Sequence, residues 1–183
     1  MNKGRLIVFA APAGGGKTTI IKEIRRLHPE WGFSVSATTR PMRQGERDGE
    51  DYYFLSKEEF ERRVTQGLFL EHEEVHGNLY GTLRDVTANR ITNGETLILD
   101  LDVKGAASIK RIFPDALTIF IRPPSLEILE QRLRARGSET EETLRKRLSR
   151  AQMEMSRAPD FDCVVVNDEI PRAVAEVESH ISK

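Results

Sequence analysis

Gly14-Gly15-Gly16-Lys17-Thr18-Thr19 is the run whose residue types and spacing most directly suggest chemistry. Successive glycines let a backbone curl until several N–H groups face one concavity, which suits an anion. A helix starting there adds N–H groups without intrahelical acceptors and the positive end of its dipole. A lysine at that place can reach the outer phosphates of a nucleoside triphosphate, and the next hydroxyl can ligate Mg²⁺. The ending Gly-Lys-Thr is that of a phosphate-binding loop. The strict pattern opens on glycine, where this chain has Ala11. A positive φ at Ala11 would cost roughly 1–2 kcal/mol.

A second set follows in the polar loop Thr38–Glu46. Arg40 and Arg43, three apart beside a turn, suit fork-like recognition of a phosphate. Tyr52 and Tyr80 could add phenolic donors or serve as core aromatics. Asp100 ends an apolar run, where phosphate-loop enzymes keep an acid near magnesium, usually through water; a helix N-cap is the other reading. Asp102-Val103-Lys104-Gly105 matches the Asp-x-x-Gly of a GTPase switch, but the chain has no Asn-Lys-x-Asp guanine motif. Arg132, Arg134, Arg136, Arg145, Arg147 and Arg150 crowd one stretch. Most should pair with nearby glutamates, while a few could close over a triphosphate. The four histidines show no metal-ligand spacing with cysteine.

These residues need positioning. Leu6–Ala10 reads as a buried strand, and Ile20, Ile21, Ile24 and Leu27 as one face of a helix ending before Pro29. Strands are expected over 33–37, 52–55 and 68–75, with a turn at Gly77-Asn78. Ser56 and Glu59 form a capping box opening a helix toward Gly67. Another helix spans about 84–92, stopping at Asn93-Gly94. Thr96–Leu101, Leu117–Ile121 and Cys163–Val166 are near-continuous apolar runs, typical of strands buried on both faces. Helices should follow each, the second capped by Ser125 and the last opened by Pro171. Buried strands alternating with helices imply parallel βαβ units, and the segment 34–93 breaks that rhythm as an insertion.

A chain of 183 residues and net charge −1 suggests a single domain with no global attraction to nucleic acid. The lone Cys163 forms no internal disulfide and fits a reducing compartment. No apolar run approaches a membrane span and no signal peptide is evident, so the cytoplasm is expected. Monomer and homo-oligomer stay open.

Taken in order, Ser36-Ala37-Thr38-Thr39-Arg40-x-x-Arg43-x-Gly45-Glu46, Gly49-x-Asp51-Tyr52-x-Phe54, Glu71, Gly77-Asn78-x-Tyr80-Gly81-Thr82 and Leu99-Asp100-Leu101-Asp102 resemble guanylate kinase. Pro123-Pro124-Ser125, Arg132-Leu133-x-x-Arg136-Gly137, Arg147-Leu148 and Val166-Asn167-Asp168 continue the likeness. It implies an α/β fold of the P-loop NTPase type, a parallel sheet flanked by helices, with a mixed α+β GMP-binding insertion and a helical lid. The core would comprise 1–33, 94–124 and 158–183, the insertion 34–93 and the lid 125–157. The implied reaction is phosphoryl transfer from ATP to GMP, with Mg²⁺ held through Thr18 and Asp100.

By the same resemblance, Lys17, Arg43, Arg136 and Arg147 would be catalytic. Ala11, Pro12, Ala13, Gly14, Gly15, Gly16, Lys17, Thr18, Thr19, Arg132 and Arg136 would bind ATP, and Asn167 would lie near the adenine. Arg40, Arg43, Tyr52 and Tyr80 would hold the GMP phosphate. Ser36, Glu71, Thr82 and Asp102 would read the guanine, and Glu46 and Asn78 belong to the same GMP-binding set. Guanine presents N1–H and an N2 amine on one edge, and a carboxylate accepts from both. Ala11, Ala13, Met42 and Lys104 depart from the usual pattern. Two alternatives are a non-enzymatic scaffold module, which typically loses Lys17 or the lid arginines, and a kinase of a phosphorylated sugar, which would not need Glu71.

Overall fold

The computed structural model describes residues 4–75, 77–135 and 140–182. In chain order, the elements are β1 (Leu6–Ala10), α1 (Lys17–Leu27), β2 (Gly32–Phe33), β3 (Ala37–Thr38), β4 (Tyr53–Phe54) and α2 (Lys57–Thr65). Then come β5 (Phe69–Val75), β6 (Asn78–Leu83), α3 (Arg84–Thr92), β7 (Leu97–Asp100), α4 (Val103–Ile112) and β8 (Leu117–Arg122). The chain closes with α5 (Leu126–Arg134), α6 (Glu141–Ser156), β9 (Cys163–Val166) and α7 (Ile170–Ile181). A five-stranded sheet has the order β2-β7-β1-β8-β9, with β2–β7 and β8–β9 parallel. A four-stranded mixed sheet has the order β4-β3-β6-β5. The expected fold, a parallel sheet flanked by helices plus a mixed sheet, is what forms.

By packing, the chain divides into two units, Met1–Ile7 with Trp31–Ala116, and Val8–Glu30 with Leu117–Lys183. In the first, β3 is parallel to β4 and antiparallel to β6, and β5 is antiparallel to β6. Its small core holds Ala37, Phe60 and Phe69, the two rings stacked 4.4 Å apart. In the second, α1 buries Ile20, Ile21 and Ile24 and packs with α7. α5 and α6 share Leu129, Leu133, Leu144 and Ala151. Leu27, expected on the buried face of α1, falls in its last turn and is exposed.

Two expectations change. The alternating run 33–37 is two strands in two sheets. Gly32 and Phe33 pair with Leu97 and Ile98, and the Ser34 N–H still donates to the Ile98 carbonyl at 2.9 Å. The chain then leaves, and Ala37–Thr38 joins the mixed sheet. A period-2 pattern reports extended backbone, not which neighbour it pairs with. Asn78–Leu83, unassigned from sequence after its turn, is strand β6, with Asn78 opposite Val75.

Candidate active site

The second unit carries the glycine-rich turn. Gly14 and Gly16 take φ of +89° and +90°, a region glycine enters without penalty. The Gly15 N–H closes the turn on the Pro12 carbonyl at 2.9 Å. Gly16 is the N-cap of α1, and its carbonyl accepts from Thr19 and Ile20 at 3.1 and 3.2 Å. A side chain at Gly14 would meet Leu129 and Leu133 of α5 at 3.0 Å, so the turn rests directly on that helix. Ala11, Lys17, Thr18 and Thr19 complete the segment. Ala13, Thr18 and Thr19 are exposed and Lys17 is half-buried.

Asn167, directly after β9, is 2 % exposed. Its Nδ2 donates to the Gly15 carbonyl at 2.8 Å, and its own carbonyl accepts from Arg132 Nη2 at 2.9 Å. Arg132 therefore braces the end of β9. Arg147 is half-buried on α6, while Arg136 lies outside the described residues. The expectation that most arginines here pair with glutamates holds for Arg134, with Glu130 and Glu141, and for Arg150, with Glu154 at 2.8 Å.

The first unit carries the other set. Arg40 forms a two-pronged ion pair with Glu46, Nη1 to Oε2 at 3.0 Å and Nη2 to Oε1 at 2.7 Å. Its Nη1 also donates to the Pro41 carbonyl at 2.7 Å. The guanidinium lies 5.3 Å from the ring centre of Tyr52 and 5.7 Å from that of Phe54. Tyr52 and Tyr80 meet edge to face at 6.0 Å. Burial, aided by the Asp100 charge, pushes the Tyr52 phenol up to about 12, so it stays a neutral O–H donor. Glu46 also accepts from the Arg43 N–H at 2.7 Å, and the Arg40 ion pair holds its carboxyl below the usual range. A carboxylate so engaged offers an anion no donor. Glu46, grouped from sequence with the GMP contacts, thus orients Arg40 and the backbone of Arg43. The side chain of Arg43 is exposed.

Glu71 is only 8 % exposed. It sits opposite Thr82 across β5 and β6, and the Thr82 hydroxyl donates to its Oε1 at 2.5 Å. Burial first, and then the charges of Asp102 and Glu73, push its carboxyl up to about 7 against the pull of Thr82. Asp102 caps α4, its Oδ1 accepting from the Gly105 N–H at 2.8 Å. The Asp-x-x-Gly spacing is therefore that of a helix cap. A Cβ at Gly105 would stand 2.9 Å from Glu71 Oε2, so glycine there keeps room beside the carboxylate, a role the sequence signalled only through that spacing. Ser36 is buried, and Asn78 sits half-buried at the start of β6. Lys104, a departure from the usual pattern, faces Glu73 at 3.6 Å. Asp100 stands half-buried at the end of β7. Among the described residues, no group of three or more His, Cys, Asp or Glu is arranged to hold a metal ion.

A strand running through a glycine-rich, lysine-bearing turn into a helix, within a parallel-sheet α/β fold, defines the class: a P-loop nucleotide-binding protein. A sequence model of the family described as guanylate kinase matches residues 3–183. Guanylate kinase of Chlorobaculum tepidum is 54% identical over 184 residues, covering 100% of this chain and 94% of that protein. The Salinibacter ruber guanylate kinase is 51% identical, covering 96% and 94%. A crystal structure of guanylate kinase from Anaplasma phagocytophilum superposes with a TM-score of 0.82 at 32% identity, covering 99% of this chain and 86% of that one. The chain belongs to the guanylate kinase family, nucleoside monophosphate kinases that phosphorylate GMP to GDP with ATP.

Proposed function

We propose that GMP is read and held by the residues of the first unit and ATP by the turn Ala11–Thr19 with the arginines of the second. The observation that carries this is Glu71, a buried carboxylate steadied by Thr82 and bordered by Asp102. Burying its charge with Thr82 as donor is still costly, as the raised carboxyl shows; the N1–H and N2 amine of guanine would supply two more donors at once. Adenine offers an acceptor at N1 and leaves the charge unsatisfied, a penalty of about 1–3 kcal/mol or more.

Arg40, Arg43, Tyr52 and Tyr80 would bind the GMP phosphate, with Glu46 orienting the two arginines. Ser36, Thr82 and Asp102 would assist Glu71, and Asn78 would complete the GMP-binding set. A GMP phosphate oxygen attacks the γ-phosphorus in line as the bond to the β–γ bridging oxygen breaks, giving GDP and ADP without a covalent enzyme intermediate. Lys17, Arg43, Arg136 and Arg147 neutralise the charge that spreads over the transferred group. Mg²⁺ fits the exposed Thr18 hydroxyl, since this ion keeps several waters and arrives with substrate phosphates rather than in an all-protein cage. When bound it shields the phosphate charge, and Asp100 stays the acid assigned to its water. No residue of this set is assigned to the ribose 2′-OH, so dGMP should also serve. The lone buried thiol, Cys163, suits a cytoplasmic setting.

An ADP-release assay over GMP, dGMP, AMP, UMP and CMP tests the reading. Turnover is expected with GMP and dGMP and should vanish in Lys17→Met. Comparable turnover with AMP would overturn the guanine assignment.

A further inference from the structure

The geometry assigns Asn167 a task in the phosphate-binding turn: it is the positioning residue that aims the Gly16 N–H into the concavity. The inference rests on the reading of Ala11–Thr19 as the triphosphate cradle.

Asn167 is fixed on three sides. Its N–H donates to the Arg122 carbonyl at 2.8 Å, and its carbonyl takes the 2.9 Å bond from Arg132. Its Nδ2 donates to the Gly15 carbonyl at 2.8 Å. Because Gly15 O is an acceptor only, this bond fixes which end of the amide faces the loop. In a trans peptide the C=O and the next N–H point in opposite directions. No described peptide bond is cis. Holding the Gly15 carbonyl toward Asn167 therefore turns the Gly16 N–H the other way, away from β9.

The groups on either side of this N–H are already committed. The Gly15 N–H is committed to Pro12, and the Gly16 carbonyl to the start of α1. The fit is also close: a Cβ at Gly16 would overlap Asn167 Nδ2. Glycine is thus needed at 16 both for its φ of +90° and for the approach of the amide. Asn167 Oδ1 is the one buried side-chain polar atom among the described residues without a hydrogen-bond partner. A side chain serving burial alone would not leave an amide oxygen unpaired. The donor end of the amide is what this place uses.

A base contact and a loop support differ in what they do to a ligand without a base. Inorganic tripolyphosphate with Mg²⁺ occupies the cradle and has no adenine. In Asn167→Ala, the dissociation constants of ATP and of tripolyphosphate should both rise by the same factor, about tenfold for one buried hydrogen bond. That of GMP should not change, which separates aiming of the loop from a general loss of fold. The Gly16 amide resonance, which should move on adding tripolyphosphate to the wild type, should move much less in the variant. If Asn167→Ala does not fold, Asn167→Leu keeps nearly the same size and removes the donor without adding a charge, and the same equal loss is expected. Weakening of ATP alone would assign Asn167 to the base and overturn the proposal, as would unchanged binding of both ligands. If the wild type fails to bind tripolyphosphate, or Lys17→Met binds it equally well, the cradle reading falls and this inference with it.

Discussion

Replacing Glu71 by glutamine isolates the charge proposed to read the base. At pH 8 the wild-type carboxyl, titrating at about 7, is mostly ionised and on the proposed reading would accept from both guanine donors. The amide of Glu71→Gln would offer one acceptor and present a donor to the other. Losing a charge-assisted hydrogen bond costs about 2–3 kcal/mol, so GMP affinity should fall roughly 30- to 150-fold. At pH 6 only about a tenth of wild-type Glu71 is ionised, given a value near 7. The wild-type advantage should shrink about tenfold between pH 8 and pH 6. The GMP phosphate also titrates near pH 6, but equally in both proteins, so it cancels in the ratio. Calorimetric titration in two buffers of different ionisation enthalpy measures both quantities. Wild type at pH 6 should release nearly one proton on binding GMP beyond what the variant releases.

Stability without ligand should move the opposite way. A carboxyl held above its unfolded value binds its proton more tightly in the native state, so stability falls as pH rises from about 4.5 to about 7. Above that window the full penalty, on the order of 3 kcal/mol, is present. Glu71→Gln should therefore be more stable than wild type at pH 8 and lose that margin toward pH 5. An affinity ratio that is flat from pH 6 to 8 would refute the reasoning.

Removing Glu46 should release Arg40 from its two-pronged ion pair. Glu46→Ala is expected to raise the KM for GMP about tenfold with a smaller change in kcat, and steady-state kinetics at saturating ATP check it; an unchanged or lower KM would mean that Glu46 merely offsets the arginine charge. His28 links the end of α1 to α7, its Nε2 at 2.9 Å from Glu178 and its Nδ1 at 3.3 Å from Glu30. Burial alone would lower its pKa, but the two carboxylates hold it above 6.5. Its contribution is fully present below pH 6.5 and fades as pH rises through the elevated value. Denaturant melts of His28→Gln should show the largest destabilisation near pH 6 and a shrinking one by pH 9; a difference independent of pH would deny that the ring is charged.

The parallel core was legible because its strands are unbroken apolar runs such as Leu97–Leu99 and Ile119–Ile121, buried on both faces. The glycine-rich turn was legible because only glycine serves at Gly14 and Gly16. The mixed sheet was harder. Its strands β3 and β4 have two residues each, too few to show a period, and their pairing is set by distant neighbours. Glu71 could be picked out only by ordered resemblance, since nothing local distinguishes it from Glu73 or Glu74 on the same strand. Its burial and its bond to Thr82 come from strand register. The Glu46 clamp on Arg40 depends on how their loop turns, and the Asn167 bond to Gly15 on how distant segments pack. The second of these spans 152 residues.

The glycine-rich turn is made within the first twenty residues, yet its supports come from the last third of the chain. Gly14 rests on Leu129 and Leu133, Asn167 fixes Gly15, and His28 at the end of α1 meets Glu178. A chain synthesised from its N-terminus therefore carries the turn and α1 without these supports while Trp31–Ala116 emerges. The turn is translated early and completed late. Truncation between Ala116 and Asn167 should leave a product that still contains the whole Glu71 region but lacks the supports of the glycine-rich turn.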